Sequence, residues 1–181
     1  MSESLLSLAL EAGFEHAALC DAAALESRAD VRAMCAADKC HAYGKNWTCP
    51  PVCGTPDECG ARMRCFASCL LVQTVGALED DFDFEGMQAL EKLHLERFHR
   101  LADTLRAREP GILCLGSGGC RICGTCAWPE PCRFPQRACS SMEAYGLLVS
   151  DICKKAGLAY YYGKDTLAYT ACYLFGTQEG A

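Results

Sequence analysis

From residue 120 to 132 the chain reads CRICGTCAWPEPC, so Cys120, Cys123, Cys126 and Cys132 follow one another at spacings of two, two and five residues. Cysteine makes up 16 of the 181 residues, a share that in a short secreted chain signals a disulfide scaffold. Two features argue for a different use. The opening stretch, MSESLLSLALEAGFEH, has no basic region, only a weak apolar core, and acidic Glu3 and Glu11, unlike a secretory signal. A chain of this length also has enough apolar surface to bury a core without covalent staples. The expectation is a cytoplasmic protein whose thiols are reduced or bound to metal.

Three thiolates at two-residue spacing wrap one side of a 4Fe–4S cubane, and a fourth closes it from further along the chain. The run is close to the bacterial ferredoxin spacing, Cys-x2-Cys-x2-Cys-x3-Cys-Pro. It differs in its last interval and in placing Pro135 three residues beyond Cys132. The fourth cysteine of such runs can serve a second cluster, so Cys132 and Cys139 are both candidates to close this site. Gly118, Gly119 and Gly124, with Gly116, have no Cβ and let backbone N–H groups approach cluster sulfurs. A dinucleotide loop is excluded, because Gly116-x-Gly118-x-x-Arg121 lacks the third glycine. Zinc is the alternative metal, although it takes two separated Cys-x2-Cys units more naturally than a triplet. A thioredoxin-like dithiol would need one Cys-x-x-Cys at a helix start.

A second concentration, CAADKCHAYGKNWTCPPVCGTPDEC, supplies Cys35, Cys40, Cys49, Cys53 and Cys59. Cys49-Pro50 matches the Cys-Pro that ends ferredoxin runs, where proline fixes the chain beyond a ligand. Cys35, Cys40 and Cys49 are the favoured ligands of a second cluster, with Cys59 preferred to Cys53 as the fourth. Tyr43 and Trp47 either screen that cluster or pack as ordinary core aromatics. Radical chemistry on S-adenosylmethionine needs Cys-x3-Cys-x2-Cys; Cys49 and Cys53 begin it, but Pro56 stands at the third position. None of His16, His41, His94 and His99 is assigned to a site. Cys20, Cys69, Cys114, Cys153 and Cys172 fall in apolar segments and read as core, where a free thiol packs as a small hydrophobe.

The remaining pattern gives one domain over residues 1–181, an α/β fold with a mixed sheet, flanking helices and two cysteine-rich metal-binding loops. Helices are expected over 2–12, over LESRADVRAMCAADKC, and over 85–108 with Met87, Leu90, Leu93, Phe98, Leu101 and Leu105 on one stripe. Ser140-x-x-Glu143 reads as a capping box opening a helix that runs to Gly157. Strands are expected at 14–20, 69–75 and 111–115, and the tail from 158 reads as a β-hairpin turning at Gly163-Lys164-Asp165. The region from 40 to 65, rich in Gly, Pro, Asn and Cys, reads as loop.

With 23 acidic and 17 basic side chains the formal charge is −6, which argues against nucleic acid or an anionic membrane as partner. No apolar run approaches the ~20 residues that span a bilayer. The sequence has no Gly-x-Ser-x-Gly, no phosphate-binding Gly-x4-Gly-Lys-[Ser/Thr], and no Cys/His nucleophile pair. Tyr160, Tyr161 and Tyr162 could line a pocket, but their alternation suits sheet packing better.

Through its two loops, C…C.AYGKNWTCPP at 35–51 and GGCRICGTCA…CRFP…SSMEAYG at 118–146, the chain resembles an uncharacterised family of predicted metal-binding proteins. The resemblance implies a free-standing α/β domain, found in anaerobic or facultative microbes, that binds metal through Cys35, Cys40, Cys49, Cys120, Cys123, Cys126 and Cys132. The expectation is an iron–sulfur protein with two 4Fe–4S clusters that passes electrons to a redox partner protein. The alternatives are a reductase with one open iron and a zinc-stabilised binding module.

Overall fold

The computed structural model describes residues 2–177; residues 1 and 178–181 lie outside the described residues. Five strands form one mixed sheet in the order β1-β2-β5-β3-β4: β1 (His16–Asp21), β2 (Phe66–Ala77), β3 (Leu113–Gly116), β4 (Ser140–Ser141) and β5 (Thr166–Thr177). All neighbours are antiparallel except β3 and β4, which run parallel.

The apolar run CLLV in β2 is buried throughout because helices cover both faces of the sheet. Leu70 and Val72 face α1 (Ser2–Glu11) and α4 (Phe84–Arg108), packing with Phe98, Leu101 and Leu105. Cys69 and Leu71 alternate to the other side, against Cys59 and Met63 of α3 (Pro56–Arg64) and Ile152 of α5 (Val149–Lys155). The result is the expected single mixed α/β layer structure, with α2 (Ala29–Ala36) beside the 143–145 turn. No helix among the described residues is long and apolar enough to cross a membrane.

Several boundaries differ from those read in the sequence, each for a local reason. α3 forms inside the 40–65 stretch expected to be loop. Thr55 and Glu58 make a reciprocal capping box, and Pro56 occupies the first turn, where a missing N–H costs nothing. The helix expected from Ser140 to Gly157 breaks in two. Ser140 and Ser141 pair with β3 instead, and after one tight turn Gly146 enters the left-handed region at φ 78°, ending the helical path. The tail hairpin is absent among the described residues, since both edges of β5 are already taken by β2 and β3. Residues 158–163 lie across the sheet instead, with Tyr162 stacked on His16 and its hydroxyl donating to Gln73 at 2.7 Å. On α4, Leu93 points outward at 40 % exposure, while His94 takes the fully buried position. The 25–40 helix contracts to α2, and Asp38 just beyond it takes a left-handed φ of 48°.

Candidate metal centre

The two cysteine loops leave different elements but meet at one end of the sheet. The first, 37–55, joins α2 to α3; the second, 117–139, joins β3 to β4. The first is folded on itself by short-range bonds. Asp38 accepts the Tyr43 N–H at 2.9 Å and pairs with Lys45 at 3.2 Å, while the Gly44 N–H donates to the Pro50 carbonyl at 2.8 Å. The second loop docks onto it through tryptophan: Trp47 donates its indole N–H to the Glu130 carbonyl at 2.9 Å and meets Trp128 edge-on at 4.5 Å. Trp47 is thus an inter-loop contact.

Cys49 sits at the junction. A Cβ placed on Gly119 would stand 3.5 Å from the Cys49 sulfur, so the glycine seats this thiol against the residue preceding Cys120. Burial raises the Cys49 thiol to about 11, and the charges of Cys40, Cys35 and Cys120 push the same way against a hydrogen bond to Thr48. Cys35, at the end of α2, is likewise raised, chiefly by burial, with Cys40 contributing. Cys35, Cys40 and Cys120 therefore stand within electrostatic reach of Cys49, although they come from different parts of the chain.

Cys120 is raised by burial, against backbone N–H groups of Ile122 and Cys139 that favour its thiolate. Cys123 follows within electrostatic reach of Cys120. Cys126 and Cys132 are half-buried further along, where Arg133 donates to the Thr125 carbonyl at 3.4 Å. Gly118 holds a left-handed φ of 71°, and neither Gly118 nor Gly124 has a neighbour in the space a Cβ would fill.

Cys59 has a different setting from the other first-loop thiols. It is fully buried on α3 with Cys53, around the guanidinium of Arg32. Arg32 is only 8 % exposed; its Nη1 reaches Cys59 Sγ at 3.5 Å, Cys53 Sγ at 3.8 Å and the Ala144 carbonyl, and its Nη2 donates to the Gly54 carbonyl at 2.6 Å. The hydrogen bond with Cys53, then the Arg32 charge, lower the Cys59 thiol, while Cys53 is raised by that same bond and by burial. Cys53 remains within electrostatic reach of Cys49.

The other thiols form two further groups. Cys20 lies opposite Cys69 in the β1–β2 ladder; Cys20 is pushed up first by Cys69, and Cys69 first by Cys172. Cys114 and Cys139 pair beside Arg106, which donates to Cys139 Sγ at 3.2 Å. Cys153 is buried in the core and Cys65 is exposed at the end of α3. Sequence reasoning marked neither Arg32 nor Arg106, because no spacing rule pairs an arginine with a thiol distant in the chain.

None of the sixteen cysteines is joined in a disulfide. Among the described residues, no three His, Cys, Asp or Glu side chains converge as they stand on a point that one ion would occupy. The donor set at the loop junction is nonetheless all sulfur, with Cys49 buried, Cys35 and Cys120 half-buried and Cys40 exposed. Ionising several thiols there is unfavourable until a metal supplies the opposing charge, so the residues fit a thiolate-bound metal. A family model for predicted metal-binding proteins, DUF2284, matches residues 18–175. No curated protein and no solved structure matched the chain.

Proposed function

The chain belongs to the predicted metal-binding protein family DUF2284, and from that premise we propose that it is an iron–sulfur protein that exchanges single electrons with a partner protein. Cys35, Cys40, Cys49 and Cys120 hold one 4Fe–4S centre, and Cys123, Cys126 and Cys132 hold a second. The observation that carries this reading is the seat of Cys49 against Gly119, with Cys35, Cys40 and Cys120 all acting electrostatically upon it.

Bound there, the clusters would supply reversible one-electron chemistry. The protein's own groups set the conditions for it. Loops 37–55 and 117–139 bring thiolates together from opposite sides of the junction, and the Trp47–Trp128 contact holds the loops in place. The N–H groups of Ile122 and Cys139 stabilise negative charge on Cys120 sulfur. The formal charge of −6 suits transient docking on a basic patch of the partner.

Protein purified without oxygen and titrated with dithionite tests this. Broad visible absorption that bleaches on reduction and returns with a one-electron acceptor is expected. A protein with no such absorption, which takes up no electrons, contradicts it.

The same proposed ligand assignment raises a second reading, a reductase. Assigning Cys120 to the first centre leaves three cysteines in the 123–132 segment, so one iron of the second centre would be open to a substrate. An added iron ligand such as cyanide would then change the electron paramagnetic resonance of the reduced protein, and no change would reject an open iron.

A further inference from the structure

We propose that Cys114 and Cys139 form a redox-active dithiol that exchanges with a small-molecule disulfide entering the cleft beside them. β3 and β4 run parallel with Leu115 opposite Ser140 and Gly116 opposite Ser141. One step earlier, the same register sets Cys114 beside Cys139. Neighbouring positions on adjacent strands lie about 4.8 Å apart, inside the Cα separation of roughly 4.4–6.8 Å that a disulfide spans. Arg106 Nη2 donates to Cys139 Sγ at 3.2 Å, and that thiol donates to the Arg137 carbonyl at 3.2 Å. The other terminal nitrogen of Arg106, Nη1, is buried without a hydrogen-bond partner.

The pair lies beside an open cleft. A cleft of about 510 Å³ is lined by Cys114 and Cys139 together with Arg106, Ile112, Pro135 and Ser140. That is the size of a small-molecule site. Cys139 is 7 % exposed and Cys114 3 %, so Cys139 is the thiol that meets the ligand first.

The exchange balances without another reactant. The Cys139 thiolate attacks one sulfur of the disulfide R–S–S–R, forming a mixed disulfide and releasing one thiolate. The Cys114 thiolate then attacks the Cys139 sulfur, closing Cys114–Cys139 and releasing the second. The two protons given up by the cysteines appear on the two R–SH products. The protein pair is oxidised and the small disulfide reduced; the reverse direction oxidises small thiols. This pairing does not depend on the metal reading, although the Cys139 N–H, which favours the Cys120 thiolate, joins the two sites.

The test equilibrates full-length protein, purified without oxygen, in a series of hydroxyethyl disulfide to mercaptoethanol ratios. It then quenches, alkylates and maps the peptides, with iron and zinc measured on each sample. Cys114–Cys139 should be the first link to close, over a defined range of ratios, with metal content unchanged. In Cys114→Ser the reaction should stop at Cys139 carrying the hydroxyethyl thiol, and in Cys139→Ser neither product should form. The proposal is overturned if both thiols stay free while other pairs close, or if their link appears only as metal is lost. Protein holding zinc alone that still closes this link first would keep the dithiol and remove the iron–sulfur reading.

Discussion

Arg32 brings a full positive charge into a space it shares with Cys53, Cys59 and the carbonyls of Gly54 and Ala144. A buried charge of this kind is tolerated only when its donors are satisfied, and here a lowered thiol stands in place of a carboxylate. Arg32→Leu leaves two carbonyls and two thiols without a donor and should destabilise the fold by about 3 kcal/mol in urea unfolding. A loss within about 0.5 kcal/mol, the range of ordinary surface changes, would show the cluster to be incidental. His94 gives a second residue-scale prediction. Burial, with the nearby Arg97 charge, lowers its imidazole to about 4, while Nδ1 contacts Thr74 Oγ1 at 2.9 Å and Nε2 has no partner. The unfolded chain takes up this proton near the ordinary value of about 6.5. Between those values the unfolded state binds more protons. Stability from this group is therefore complete above about pH 6.5 and lost as pH falls towards 4, by about 3 kcal/mol in all. His94→Gln should remove that acid slope; an unchanged slope would place its source elsewhere. Neither role was legible in the sequence, where Arg32 and His94 are polar residues at helical positions and only the fold turns them inward.

Helix ends decide most of what was and was not readable at the scale of elements. α4 was plain, because an acidic start, a basic end and Pro110-Gly111 agree with its apolar spacing. α3 carried an equally good signal in Thr55-Pro56-Asp57-Glu58, and the cysteines around it masked that signal by suggesting loop. Thr55→Ala should cost about 1 kcal/mol by thermal unfolding, and no change would mean that the box is not formed. Ser140-x-x-Glu143 was the reverse case: Ser141 rather than Ser140 accepts the Ala144 N–H, at 3.0 Å, and only one tight turn follows. Gly146 is required there. Its φ is 78°, and a Cβ would stand 2.7 Å from Ser27 Oγ and 2.9 Å from the Arg28 nitrogen. Gly146→Ala should therefore destabilise by more than the ~1 kcal/mol of a left-handed alanine alone. A cost at or below that value would show that the neighbouring strand of chain moves aside easily. The tail hairpin failed for a topological reason, since strand pairing depends on which edges are free and no local pattern reports that.

For the whole molecule, the sheet brings together two loops separated by more than sixty residues, and the sequence could mark each loop but not their junction. The spacing of Cys120, Cys123 and Cys126 marked one candidate metal loop, and Cys35, Cys40 and Cys49 marked another. The sequence alone favours Cys59 as the fourth ligand beside Cys35, Cys40 and Cys49, being nearer in the chain, whereas the ligand proposed above, Cys120, comes from the second loop. Substitution separates the two. Cys49→Ser and Cys120→Ser should each remove about four irons per chain, while Cys59→Ser should leave the iron content unchanged. Loss of iron in Cys59→Ser with retention in Cys120→Ser would reverse the assignment. The most direct measurement is the metal itself: iron, acid-labile sulfide and zinc per chain in protein purified without oxygen. The account predicts about eight irons and about eight sulfides, with little zinc. One or two zincs with no sulfide, also after reconstitution with iron and sulfide, would contradict it.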